Sequence, residues 1–275
     1  MTKRLGFLPL LLTVMLAACS GDDAAPQPDA TPATPATTAA EGPPAAAEAV
    51  PGAQAEAPAA DGATMDGSAT DAGTPAPAAQ PPQGPAPQAG TDYVEIPNGQ
   101  PYQPLDGKIE VVEVFGYTCP ACAQFEPQIA AWKRRQPADV RVTPVAAPFG
   151  GYWMPYAKAY YAAESMGLVE RTHQAMFEAV HLQRSLPVQN ATPQAIGEFY
   201  AGHGTDAGQF ASTMESFAVS GKLKRAEQFI DRAGVDSTPT MVVNGKYRVL
   251  GPKQFDEVLR IVDHLVARER AAMQP

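Results

Sequence analysis

The sequence predicts an α/β domain with an inserted α-helical block, carried behind a long disordered linker. Three observations predict it. A Val- and Ile-rich run, residues 109–115, leads into Cys119-Pro120-Ala121-Cys122 at the mouth of a helical pattern. Residues 152–216 are helical in pattern and separate the strand-like runs of the first half from those of the second. Residues 20–90 are mostly Ala, Pro, Gly, Thr and Gln, with almost no large apolar side chain beyond Val50 and Met65. Such a segment buries too little apolar surface to offset its chain entropy.

Taken in order, residues 1–18 read as a secretory signal, with Lys3 and Arg4 ahead of an apolar run over residues 5–16. That run is far short of the roughly 20 residues a membrane-spanning helix needs. Leu16-Ala17-Ala18-Cys19 resembles a bacterial lipobox, which implies that Cys19 is lipidated and becomes the first mature residue. An ordinary signal cleaved near Ala18 is the plainer alternative. Ser20 after the cysteine, rather than Asp, resembles lipoproteins sorted to the outer membrane. Residues 19–90 then form a tether, and a coil of that length spans roughly 45–50 Å. Asp22, Asp23, Asp29, Glu41, Glu48, Glu56, Asp61, Asp66 and Asp71 face no Lys or Arg there, and account for the net charge of −9. Residues 91–275 are left close to neutral, with no basic patch to suggest nucleic acid.

Residues 91–275 have the size of one domain. Alternation over 91–96 predicts a first strand, and Asn98-Gly99 a turn. The buried strand follows, then a helix from Pro120 to about Arg135, with Phe125, Ile129 and Trp132 as its apolar stripe. Lys133, Arg134 and Arg135 suit the negative end of its dipole, and Pro127 inside it predicts a kink. Residues 140–147 read as another strand. The helical block has breaks near Gly167, 185–192 and 203–206, and a further helix covers about 221–233, closed by Gly234. Residues 240–243 and 246–250 form a hairpin around Asn244-Gly245, and Pro252 opens a last amphipathic helix.

Within this order the CxxC carries the chemistry. Pro120 suits a first helical position, where its missing N–H goes unnoticed. That leaves Cys119 at the N-cap, where free amides and the helix dipole favour a thiolate. Cys122, within one turn, is placed to resolve a mixed disulfide at Cys119. Other readings of a CxxC are half of a zinc site, an inert disulfide, or two reduced core thiols. Zinc is short of ligands: one other cysteine and four histidines, with His173 and His181 eight residues apart. No metal or cofactor is expected. Glu113, in the middle of the buried run, is a candidate acid to serve Cys122, since a charge there is costly without a role; an edge strand with Glu113 in water is the alternative. Trp153, Met154, Tyr156 and Tyr160 either line a peptide groove or belong to the core. The histidines show no partner pattern.

The segment from Glu113 to Pro127, with Thr238-Pro239 ahead of a strand and Val243-Asn244-Gly245-Lys246-Tyr247 after it, resembles the DsbA-like thiol:disulfide oxidoreductases of the bacterial periplasm. Pro127, five residues after Cys122, adds to the match. The resemblance spans residues 91–271 and implies a thioredoxin-like fold with the helical block as its insertion. It further implies that Cys119 is the nucleophile and Cys122 the resolving thiol. Pro239 is implied to be cis, exposing the Thr238 backbone to a substrate strand, and Glu126 matches an acid of the family, with an exposed helix residue as the alternative. Substrates are expected to be cysteine-containing exported proteins. The redox partner would sit in the membrane: a DsbB-like oxidase, or a DsbD-like reductant should electrons run the other way. Pro120 and Ala121 are the redox-tuning dipeptide. Ala121 stands where strong oxidases have His, and Thr238 where they often have Val, so the direction of electron flow stays open between oxidase and reductase, isomerase or cytochrome c maturation. A structureless linker in place of a dimerisation domain argues against the isomerase, and a monomer is expected. A non-enzymatic lipoprotein with a structural disulfide is the rival of another class.

Overall fold

The structure, a computed structural model, describes residues 78–251 and 253–274. Cys19, the signal, most of the linker and Pro252 lie outside the described residues. Five strands form one mixed sheet: β1 (Tyr93–Glu95), β2 (Ile109–Phe115), β3 (Val140–Ala146), β4 (Thr240–Val243) and β5 (Tyr247–Val249), in the order β1-β5-β4-β2-β3. The helices are α1 (Pro120–Arg134), α2 (Met154–Ser165), α3 (Val169–His181), α4 (Pro193–Ala201), α5 (Ala207–Met214), α6 (Phe217–Ala233) and α7 (Phe255–Met273). A 3₁₀ turn, Gly151–Trp153, precedes α2. The sequence of strands and helices is the one expected, and α2 to α5 are the inserted block.

All seven residues of β2 are buried, because β2 is flanked on both sides. It runs parallel to β3, with Val112 opposite Thr143, and antiparallel to β4, with Val112 opposite Val242. An edge position for Glu113 is thereby excluded. The two faces of the sheet feed two cores. Ile109 and Val111 pack with Phe125, Ile129 and Trp132 of α1 and Ile261, Val262 and Leu265 of α7. Val112 and Val114 face the inserted block and α6, among Tyr156, Tyr161, Phe177 and Phe229. A fully buried Leu, Ile or Phe side chain contributes about 1.5–3 kcal/mol.

One buried acid in β2 is structural. Glu110 accepts from the backbone N–H groups of Tyr102 (2.7 Å) and Gln103 (3.2 Å), from Thr143 Oγ1 (3.1 Å) and from Arg141 (3.1 Å). Its own N–H donates to Asn244 Oδ1 at 2.7 Å. This tie fixes the 101–104 loop and the β4–β5 turn to the strand that leads to the cysteines. In that turn Asn244 and Gly245 both have positive φ, 49° and 65°, as a two-residue hairpin requires.

Two details differ from the sequence reading. Helix α6 begins at Phe217, four residues early, because the Ser216 side chain caps it by accepting from the Val219 N–H; Gly221, taken as its start, lies inside it. Residues 83–85, counted with the linker, lie against α7: the Arg260 guanidinium donates to the Pro85 carbonyl, and His264 Nε2 is 3.2 Å from the Gln83 carbonyl. That contact is made by backbone carbonyls, which a compositional argument does not register. No helix among the described residues is long and apolar enough to cross a membrane.

Candidate active site

The C-terminal end of β2 opens into Gly116, Tyr117 and Thr118, and the chain turns into α1 at Cys119. Cys119 is the N-cap of that helix, with Pro120 in its first turn, as the sequence predicts. Its Sγ accepts from the Cys122 N–H at 3.2 Å and lies 3.5 Å from the Thr238 carbonyl oxygen. The Thr238–Pro239 peptide is cis. Both cysteines are free thiols in this structure; Cys119 retains 6% of its surface and Cys122 none. The two residues that resemblance alone linked to the cysteines, 119 positions further along the chain for Thr238, are therefore brought against Cys119.

The electrostatics split the pair. A hydrogen bond from the Cys122 thiol, the Thr238 side chain and the Cys122 and Ala121 amides lower the Cys119 pKa to about 6 against the cost of burial. Burial, and then the neighbouring Cys119, push Cys122 far up. One sulfur is a thiolate at neutral pH and the other keeps its proton.

Glu113 is 3% exposed, and burial, the nearby Glu126 and Cys119 raise its pKa well above the usual carboxylate range. Its charge in turn helps to raise Cys122. Glu126 is buried too, at 8%. Both line a cleft of about 450 Å³, together with Lys133, Glu170 and His173.

On the opposite side of the Cys-Pro-Ala-Cys turn, a groove of about 730 Å³ is lined by Ala121, Phe125, Thr238, Pro239, Met241 and Arg248, among others. The four aromatic and methionine positions considered for a groove divide. Tyr156 and Tyr160 are core, with 1% and 2% exposure, and Met154 is half-buried. Trp153 is half-buried and packs on Gly116, where a Cβ would fall 2.1 Å from its ring, so only glycine lets it lie there. Phe149 and Tyr152, both exposed, flank Trp153 with ring centroids 5.2 and 6.0 Å away.

Two histidines of α3, read as lacking partners, reach the active-site turn. His181 Nε2 is 2.8 Å from the Tyr117 carbonyl oxygen. His173 Nδ1 is 2.8 Å from Tyr117 Oη, and its Nε2 is 3.3 Å from Glu126 Oε2. Their spacing of eight residues, two helical turns, was the available signal: it puts both on the side of α3 that packs against α1. Among the described residues no group of three or more His, Cys, Asp or Glu side chains is arranged to hold a metal.

A strand–dithiol–helix unit with a cis-proline loop against its first cysteine defines a thioredoxin-fold protein, and residues 105–264 match the Thioredoxin family. Among curated proteins the chain is 43% identical over 190 residues to the thiol:disulfide interchange protein DsbA of Pseudomonas aeruginosa, covering 67% of this chain and 86% of that one. It is 41% identical over 186 residues to the protein of the same name from Azotobacter vinelandii, covering 66% and 85%. Among solved structures, the oxidoreductase DsbA of Xylella fastidiosa superposes with a TM-score of 0.66 at 50% identity, covering 67% of this chain and 98% of that one. The P. aeruginosa DsbA crystal structure gives 0.62 at 41% identity, covering 68% and 97%. The chain belongs to the DsbA family of thiol:disulfide oxidoreductases.

Proposed function

We propose that the chain introduces disulfide bonds into cysteine-containing proteins exported to the periplasm, and that it works there from a lipid anchor at Cys19. The observation that carries the direction is the divided dithiol. A thiolate at Cys119 stabilises the reduced enzyme, and a stabilised reduced form makes the disulfide form the stronger oxidant.

In the forward reaction a substrate thiolate attacks Cys119 Sγ of the Cys119–Cys122 disulfide. The S–S bond breaks, Cys122 leaves as a thiolate and takes a proton from Glu113. A second substrate thiolate attacks the substrate sulfur of the mixed disulfide and expels Cys119 as a thiolate, which its amides and the Cys122 thiol stabilise. Two electrons pass from the substrate dithiol to the enzyme. The groove beside Pro239 seats the substrate chain, with the Thr238 backbone as its pairing edge. A DsbB-like oxidase in the membrane restores the disulfide. Ala121 and Thr238 favour a second reading, the same dithiol kept reduced by a DsbD-like donor.

The test uses the oxidised protein with a reduced, unfolded two-cysteine substrate. Stoichiometric transfer of the disulfide, absent in Cys119→Ser, is expected. Catalysed reduction of insulin at a rate no higher than that of Cys119→Ser, with no transfer to the substrate, would leave a structural bridge as the better account.

A further inference from the structure

One cleft brings together titratable side chains from three elements. Glu113 comes from β2, Glu126 from α1 and His173 from α3. We propose that His173 is a positioning residue of the dithiol reaction: through Glu126 it moves protons between the cleft and Glu113, and so sets the speed of the proton step at Cys122. The inference rests on the oxidoreductase reading above.

The geometry lets His173 change protonation without moving. As a neutral ring, its Nε2–H donates to Glu126 and its Nδ1 accepts from the Tyr117 hydroxyl. As an imidazolium, Nδ1–H donates to the same phenol oxygen, and only the hydroxyl hydrogen turns. Burial holds the Tyr117 phenol well above its ordinary range, so it remains a neutral rotor. The ring is clamped by Phe115 and Phe177, with centroids 4.9 and 5.3 Å away, so both nitrogens keep their partners. The charged and titratable groups that face it or line the cleft with it are Glu113 from β2, Tyr117 from the turn, Glu126, Lys133 and Arg134 from α1, Tyr160 from α2 and Glu170 from α3 itself.

The step is clearest when the enzyme carries glutathione as a mixed disulfide on Cys119. The Cys122 thiol gives its proton to the Glu113 carboxylate, and the Cys122 sulfur attacks Cys119. The Cys119–Cys122 bond forms, the bond to glutathione breaks, and glutathione leaves as a thiolate. Glu113 must then shed its proton before another cycle. Buried against β2, it exchanges with the cleft, where Glu126 and His173 stand.

The experiment follows glutathione release from that preformed adduct of the whole chain between pH 5 and 9. Cys119 is capped there and cannot titrate. Wild-type release is expected to depend on pH, because Cys122 and Glu113 exchange a proton in the step. His173→Gln is expected to change that dependence and to release glutathione about tenfold more slowly near neutral pH, short of the roughly 10²–10⁴-fold that a full general acid or base contributes. Glu126→Gln should give the same loss, and the double variant no further loss, because the two residues act in series. The glutathione equilibrium constant of all three variants should stay within about twofold of wild type. A His173→Gln profile that overlays the wild type, or losses that multiply in the double variant, would overturn the inference while leaving the dithiol chemistry intact. A wild-type adduct that never releases glutathione would sink the oxidoreductase reading itself.

Discussion

The thiolate at Cys119 makes the reduced protein more stable as pH rises, by an amount that follows from its pKa. In the folded, reduced chain that pKa is about 6; in the unfolded chain it returns to about 8.5. Between those values the unfolded state holds more protons, so unfolding free energy climbs with pH at about 1.4 kcal/mol per unit. The sign is that of a depressed group: the contribution is full above about pH 8.5 and is lost as pH falls through about 6. It amounts to about 1.4 kcal/mol at pH 7 and about 3 kcal/mol in all. The pH 7 share corresponds to roughly 30 mV of added oxidising power for a two-electron couple. Urea unfolding of reduced wild type and of Cys119→Ser, from pH 5 to 9, isolates it. Groups that Cys119 does not influence cancel in the difference, Cys122 titrates in both unfolded chains alike, and Glu113→Gln in both backgrounds removes the coupling of Glu113 to Cys119. The difference should rise through the window with the stated slope. A flat difference would mean that the amides and the Cys122 thiol do not hold a thiolate, and the argument for an oxidant would fall with it.

Other perturbations have equally definite outcomes. Glu113→Gln should fold and keep its redox equilibrium but release mixed disulfides more slowly near neutral pH; stopped-flow rates equal to wild type across pH 5 to 9 would reduce Glu113 to a structural residue. Ala121→His adds a donor beside the Cys119 thiolate, so equilibration with glutathione should show a stronger oxidant by tens of millivolts, about 30 mV for each 1.4 kcal/mol. An equal or weaker oxidant would move attention to the Thr238 loop. Glu110→Ala should lower unfolding free energy by roughly 3–5 kcal/mol, since the Tyr102 and Gln103 amides and the Thr143 hydroxyl lose their acceptor and Arg141 keeps only the Gln103 and Pro104 carbonyls; a loss under about 1 kcal/mol would show the tie to be dispensable. A chain starting at residue 91 should fold and keep its dithiol activity, the contacts of Gln83 and Pro85 on α7 being peripheral; loss of cooperative unfolding would contradict this.

Much of the site was legible because its signals are local. A buried strand, a cysteine at an N-cap and a proline in the first turn occupy one continuous stretch, and each has its own physical cause. Thr238 and Pro239 are different: nothing in their composition points to Cys119, and only resemblance supplied the link that the fold then realised. His173 was missed because its partners come from three places, Tyr117 in the turn, Glu126 on α1 and Phe177 on its own helix. Glu110 was passed over for the neighbouring acid, Glu113, although it is the more fully buried of the two. Its partners are backbone amides of a loop, and no residue pattern announces them. Composition misplaced the start of the packed chain for a similar reason, since carbonyl oxygens at Gln83 and Pro85 make the contact.

The central claim is that the pair works as an oxidant in its own compartment. Thiol trapping of the chain in growing cells, with acid quenching before alkylation, measures the fraction of Cys119–Cys122 that is disulfide. The account predicts a mostly oxidised pair that accumulates as the dithiol when the membrane oxidase is removed. A pair found mostly reduced in otherwise unperturbed cells would contradict it and assign the chain to the reducing branch.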